Sequence, residues 1–436
     1  MRTVRRAVEA LRQQPLPRTD KALGRLAAGR LAAGGPVTAA RLAQDRLSLF
    51  DPELAMPVMV LREADLAHNI AAMASYCAKA GVRLAPHGKT TMAPQLFARQ
   101  LEAGAWGICA ANLSQVRLYR EFGVQRVLVA NEVTDSAAVG WLAAEMSADP
   151  GFDCYLYADS LDGVRLLEGG LRGGRARPLP VLIELGQPGG RGGCRSTAEA
   201  LAVASAVAAS PVLRLAGVAG YEGSIGHDRE PATLAAVAAF CRELRALAGL
   251  LPPVPAGQDD YLVTVGGSAF FDVVVDELTA EGGSGPAPPV VLRSGAYVTH
   301  DHGFYARLSP GVQPGGAGRG PALRPAIEVW TRVLSAPEPG LAIADAGRRE
   351  APVDQGTPVP LRIRRPDGET RDASGMRVAR LDDEHAYLRV PPEDPVRPGD
   401  LVCLGISHPC TAFDKWQLIP VVDEDYRIVD VVRTFF

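Results

Sequence analysis

No apolar run in this chain approaches the roughly 20 residues that a membrane span needs, so a transmembrane helix is excluded. Cysteine is sparse as well. Seven scattered residues, an odd number, do not form a disulfide framework and point to a reducing cytoplasm. No excess of one charge exists. The net charge of -3 provides no basis for a nucleic-acid partner. No G-x-G-x-x-G fingerprint follows the early β-prone segments, which argues against a dinucleotide-binding sheet.

What is present is a long, apolar-rich chain. Hydrophobic residues make up 47% of 436 positions, enough for a barrel of about 250 residues and a second core. Short β-prone runs recur at Val58–Leu61, Val82–Ala85, Ile108–Ala111, Val127–Ala130, Cys154–Tyr157, Val181–Glu184, Leu215–Val218, Leu262–Val265 and Val290–Arg293. Segments with helical spacing separate most of them, such as Met92–Ala103 and Pro231–Gly249. This alternation predicts an α/β fold with a parallel barrel or doubly wound sheet. Nine runs is one more than a closed barrel needs, so the first is read as a lead-in from another domain. A Gly/Pro-rich stretch, Gly311–Gly320, then reads as a linker or long loop. Beyond it, β-prone runs at Ile327–Trp330, Val359–Ile363, Ala386–Val390 and Leu401–Leu404 alternate with turns and predict a β domain. The organisation expected is a helical extension over 1–50, a barrel over 51–310 and a β domain over 311–436. The first 35 residues are rich in Arg, Ala and Leu, with only Glu9 and Asp20 acidic, which mimics a transit peptide. A helical extension packed on the barrel is the preferred reading.

One segment carries most of the chemistry. Val82-Arg83-Leu84-Ala85 runs into Pro86-His87-Gly88-Lys89-Thr90, which sets a lysine where a strand opens into a loop. Parallel barrels place their chemistry at strand C-termini. A lysine in a low-dielectric pocket there can lose its charge and attack a carbonyl, although at a loop it is more commonly a surface residue. Pro86-His87-Gly88-Lys89-Thr90, followed by Ala93-Pro94 and Ala103-Gly104-Ala105, resembles the lysine segment of the D-serine dehydratase and D-threonine aldolase family. The resemblance runs from about Leu54 to the C-terminus. It implies a pyridoxal phosphate (PLP) enzyme of fold type III, with an alanine racemase-type (β/α)8 barrel followed by the β domain.

The resemblance implies roles for individual residues. Lys89 would carry the cofactor as a Schiff base and remove the α-proton. His87 would lie beside it, and Tyr221 would line the cofactor face. The phosphate would rest on Gly266-Gly267-Ser268 and on the turn after Arg293 that holds Gly295 and Ala296; glycines there let backbone N–H groups approach closely. Arg191 and Arg293 compete for the pyridine nitrogen, with Arg191 preferred. A permanent guanidinium at that nitrogen would keep it unprotonated.

Ser407-His408-Pro409-Cys410-Thr411 places an imidazole and a thiol two residues apart. In extended backbone such a pair projects to one side, and the combination suits zinc. His408 and Cys410 match the metal pair of the dehydratase branch. The aldolase branch has an acidic residue at the second position, better suited to manganese or magnesium. Asp301 and Asp414 are candidate further ligands, with solvated acids as the plainer reading of both. His300 and His302 are expected to shape the substrate entrance or face solvent. The aldolase branch carries a histidine after the tyrosine, whereas this chain has Glu222.

The expected function is zinc- and PLP-dependent dehydration of a β-hydroxy D-amino acid to a 2-oxo acid and ammonia. A retro-aldol lyase or racemase on the same scaffold, and a non-enzymatic PLP-binding protein, are the alternatives. The subgroup resembled is described only as amino-acid deaminases or dehydratase-like proteins. A homodimer with shared active sites is expected from the same resemblance.

Overall fold

The computed structural model describes residues 2–24, 26, 33–171, 177–254, 261–280, 288–312, 319–393 and 395–436. Its first strand, β1 (Val58–Arg62), does not belong to the barrel. The barrel strands are β2 (Arg83–Leu84), β3 (Ile108–Ala110), β4 (Arg126–Glu132), β5 (Asp153–Ala158), β6 (Leu179–Leu185), β7 (Leu213–Gly220), β8 (Leu262–Val265) and β9 (Val290–Leu292). All are parallel, in the order β2-β9-β8-β7-β6-β5-β4-β3. A parallel bridge between His87 and Cys109 joins β2 to β3 and closes the ring.

The strands read as nearly continuous apolar runs because helices cover one side and the barrel interior fills the other. Leu128 points inward with Cys109, Tyr157, Leu182, Ala219 and Val291. Its neighbours Val127 and Val129 point outward into the large core under the helices. Helices begin abruptly after the strands because each turn supplies a cap. Asn112, Asp135, Ser160 and Ser196 each accept a backbone N–H of the following helix. A cap of this kind contributes about 1 kcal/mol.

The second domain is built from β10 (Ile327–Glu338), β11 (Leu341–Ala344), β12 (Val359–Arg364), β13 (Thr370–Asp372), β14 (Arg377–Leu381), β15 (Ala386–Arg389), β16 (Leu401–Gly405), β17 (Leu418–Val422) and β18 (Ile428–Arg433). β1 lies inside this sheet, antiparallel to β10 and parallel to β17. The chain therefore starts in the second domain, crosses into the barrel after Arg62, and returns at β10. The crossings are tied together: Arg62 N–H donates to Ala326 O, and Ala326 N–H to Thr299 O, both at 2.7 Å. Asn69, fully buried, bonds both the N–H and the C=O of Arg324.

The N-terminal segment touches both domains. Its helix Arg2–Arg12 pairs Arg5 with Glu102 on the barrel and Arg12 with Asp430 on β18. Leu47 and Leu49 bond the backbone of Ile428 and Tyr426. Most of the Gly311–Gly320 stretch lies outside the described residues. No helix among the described residues is long and apolar enough to cross a membrane.

Candidate active site at the barrel mouth

Strand β2 is short because Pro86 cannot continue its ladder. The chain turns once through Gly88–Thr90 and sends Lys89 into a cavity at the strand C-termini, which His87, Tyr157, Arg191, Tyr221, Gly266 and Arg293 also line. Gly88 has no alternative. A Cβ there would sit 2.4 Å from the Tyr119 hydroxyl and 2.9 Å from Ile108 Cγ2. Among the described residues, Lys89 makes no hydrogen bond or ion pair. His87 is buried, and that burial, with the charges of Lys89 and Arg293, pushes its pKa well below the usual range. It is a neutral imidazole whose Nδ1 has no partner, and the buried Tyr157 hydroxyl has none either.

The two glycine turns form one structure. Ser268 Oγ accepts Ala296 N–H at 3.2 Å, and Ser294 Oγ donates to Gly267 O at 2.7 Å. A Cβ on Gly295 would meet His87 O and Thr90 Oγ1 at 2.7 Å, so the Lys89 turn rests on the same surface. A Cβ on Gly267 would meet Glu222 Oε1 at 2.4 Å. Glu222 is thus not a pocket residue. It is fully buried behind the turn, neither oxygen has a partner, and burial pushes its pKa up to about 7.

Both candidate arginines reach the cavity, with different freedom. Arg293 is buried and committed: it donates to Thr264 Oγ1 at 2.7 Å and to Gly220 O at 2.8 Å. Arg191 lies over the Tyr221 ring, 5.1 Å from its centroid, and among the described residues its guanidinium makes no hydrogen bond. Its glycine-rich loop is held by Arg195, which donates to the carbonyls of Gly190, Arg191, Gly192 and Gly193. Sequence reasoning missed the two carboxylates beneath this loop. Glu132 and Glu184 lie against each other at the cavity wall. Burial and mutual charge raise Glu132; burial raises Glu184, although Arg293 and Arg191 oppose it. Both carboxyls are therefore harder to ionise than a surface glutamate, and nothing in the sequence links strand ends 52 positions apart.

His408 and Cys410 lie in an irregular turn after β16, not in extended backbone. Their side chains still meet, because the turn folds Cys410 back on the imidazole. Burial opposes charge on His408, but Cys410 and Asp354 beside it hold its pKa up to about 9. Cys410 Sγ is 3.7 Å from Thr90 Oγ1, so the pair approaches the Lys89 turn within one chain. Tyr305, also unforeseen, packs its ring 5.7 Å from that of His408 and lies beside Ser268.

Four other residues singled out in the sequence have these places. Asp301 is neither a ligand nor solvated: it is buried and accepts the N–H groups of Gly303, Tyr305 and Ala306 as a helix cap. Asp414 is exposed on its own turn, as the solvated-acid reading expects. His300 is buried and His302 half-buried against Gly405, so neither faces solvent. Among the described residues no group of three or more His, Cys, Asp or Glu side chains is arranged to hold a metal.

The mouth fits pyridoxal phosphate. A free lysine, unpartnered polar atoms and Gly266 surround one cavity, and the rest of the two glycine turns, Gly267, Ser268, Gly295 and Ala296, lie next to Gly266 outside its lining. The nitrogen–sulfur pair fits a metal that keeps open positions, as catalytic zinc does.

Comparison with known proteins agrees in both halves. An alanine racemase N-terminal domain model matches residues 61–257, and a serine dehydratase domain model matches residues 326–422. D-threonine aldolase of Arthrobacter sp is 28% identical over 339 residues, covering 77% of this chain and 80% of the relative. 3-Hydroxy-D-aspartate aldolase of Paracoccus denitrificans is 26% identical over 319 residues, covering 71% and 76%. Among solved structures, D-threonine aldolase from Filomicrobium marinum matches with a TM-score of 0.72 at 25% identity, covering 88% of this chain and 95% of that one. D-threo-3-hydroxyaspartate dehydratase from Delftia sp. HT23 shares the fold, with a TM-score of 0.67 at 23% identity over 88% and 98% of the two chains. The chain thus matches an alanine racemase-type barrel and a serine dehydratase-type second domain in that order, and over most of its length it is similar to D-threonine and 3-hydroxy-D-aspartate aldolases.

Proposed function

We propose that this protein is a PLP-dependent lyase that removes water from a β-hydroxy D-amino acid, giving a 2-oxo acid and ammonia. The observation that carries this reading is the contact between Thr90 and Cys410, which sets an imidazole–thiol pair against the turn that presents Lys89. PLP supplies an electron sink that makes the Cα proton of a bound amino acid removable. Zinc supplies Lewis acidity that makes a β-hydroxyl a better leaving group.

The chain's residues divide the remaining tasks. Lys89 holds the cofactor covalently and moves the proton at Cα. Ser268 and the Gly295–Ala296 backbone hold the phosphate, on a turn whose Gly266 and Gly267 pack closely against Arg293 and Glu222. Arg191, the freer of the two guanidiniums, faces the ring nitrogen, while Arg293 braces the cavity wall. His87 is neutral and adds no charge beside Lys89. Burial raises the pKa of Tyr221, so it lines the cofactor face as a neutral phenol. His408 and Cys410 bind the zinc.

The names of the relatives favour a second reading, retro-aldol cleavage, for which manganese or magnesium would serve. Glu222 weighs against it: the group in place of the aldolase-branch histidine is buried behind Gly267. Incubation with D-serine, D-threonine and 3-hydroxy-D-aspartate separates the readings. A 2-oxo acid with ammonia is expected. Glycine with an aldehyde would establish the aldolase, the opposite enantiomer alone a racemase, and no turnover a PLP-binding protein without activity.

A further inference from the structure

Asp354 is 54 residues from His408 in sequence, yet the two side chains meet at 2.6 Å, Asp354 Oδ2 to His408 Nδ1. The other carboxylate oxygen, Oδ1, accepts the Thr411 hydroxyl at 2.8 Å. A third bond closes the unit: Ser407 Oγ donates to Gly356 O at 2.7 Å. The segment around Asp354 is thus stapled to Ser407, His408 and Thr411, on both sides of Cys410. Gly356 has a φ of +110°, a conformation that an L side chain rarely adopts, and this lets the chain turn back under the histidine.

The bond fixes the tautomer. A carboxylate can only accept, so Nδ1 carries the hydrogen and Nε2 is the nitrogen that gives up its proton when a metal binds. The same contact fixes the ring plane, which the Phe304 and Tyr305 rings confine from the side at 5.8 and 5.7 Å. A carboxylate behind a ligating imidazole also raises its basicity as a ligand.

Resting on the metal reading above, we infer that Asp354 is the positioning residue for the metal site: it holds His408 with Nε2 free to ligate, and Thr411 holds Asp354 in turn. Neither residue touches the metal. Removing such an outer partner lowers metal affinity by about 10–100-fold.

The test titrates the PLP-loaded protein with cobalt(II), whose charge-transfer absorption with a thiolate reports the Cys410 bond. Asp354→Ala should raise the half-saturating cobalt concentration by about 10–100-fold, with the visible absorbance of the lysine-bound cofactor unchanged. Asp354→Asn retains an oxygen that accepts from Nδ1–H and should recover most of that loss. Thr411→Val leaves Asp354 in place and should shift the midpoint less than Asp354→Ala; it serves as the test if the alanine variant does not fold. An Asp354→Ala titration that overlays the wild type, or an Asn variant no better than Ala, overturns the positioning role. A wild-type protein without a cobalt–thiolate band overturns the metal reading itself, and this inference with it.

Discussion

A carboxyl with no hydrogen-bond partner is costly to ionise in a protein interior, and Glu222 is such a group. Its pKa rises from 4.5 in the unfolded chain to about 7 in the fold. Below pH 4.5 both states hold the proton and stability is unaffected. Between pH 4.5 and 7 only the folded state keeps it, so stability falls as pH rises, by a total on the order of 3 kcal/mol. Glu222→Gln does not titrate. In melts of the cofactor-free protein, its stability relative to wild type should therefore improve from pH 4.5 to pH 8. Parallel profiles for the two proteins would remove the buried acid from the account. Lys89 gives a sharper prediction. Lys89→Ala should abolish borohydride trapping of the cofactor and lower turnover by at least about 10²–10⁴-fold, the scale of a lost acid–base group. Trapping retained at another lysine would sink the assignment. Lys89, His408 and Cys410 were legible as residues because their neighbours in sequence are their neighbours in space. Asp354, Tyr305 and the Glu132–Glu184 pair were not, because each meets its partner only through the fold. The burial of Glu222 behind Gly267 was invisible for the same reason.

At the scale of elements, the nine apolar runs before Gly311 all became strands. Burial on two faces leaves a continuous signature that needs no partner to read. The helix after Glu230 was equally plain, running from Pro231 to Gly249. The turn after β16 was misread. A His-x-Cys spacing suggests alternation along a strand, but strand pairing ends at Gly405 and the backbone then bends. The single turn that carries Lys89 depends on close packing at Gly88. Gly88→Ala drives a methyl against Tyr119 and should cost about 1–3 kcal/mol, read as a lowered thermal midpoint. Gly249→Ala provides the contrast: nothing lies within 4 Å of its added Cβ, so the helix end should be unharmed. Equal losses would mean that the Lys89 turn is not packed as described.

At the scale of the molecule, the second domain takes one strand from ahead of the barrel. β1 belongs to the second domain although its sequence neighbours build the barrel, so the second domain is not made from a contiguous stretch, whereas the barrel strands run unbroken from β2 to β9. The extra strand was countable in the sequence; its register between β10 and β17 was not, since pairing partners lie hundreds of residues away. The contact between Thr90 and Cys410 within one chain means that the metal pair needs no second subunit to reach the Lys89 turn. A homodimer is still proposed, with the partner covering the rest of the mouth. Light scattering at micromolar concentration should give twice the chain mass, and a fully active monomer would contradict it.

The central claim is that the imidazole–thiol pair serves departure of a β-hydroxyl, not cofactor binding. The direct measurement compares Cys410→Ala with wild type on D-serine and on β-chloro-D-alanine. Chloride leaves without a Lewis acid, whereas hydroxide gains several kcal/mol from one, equivalent to about 10²–10³-fold in rate. The expected result is a loss of that size on D-serine, a much smaller one on the chloro substrate, and an unchanged visible spectrum of the bound cofactor. Equal losses on the two substrates would contradict the claim and make the metal pair structural.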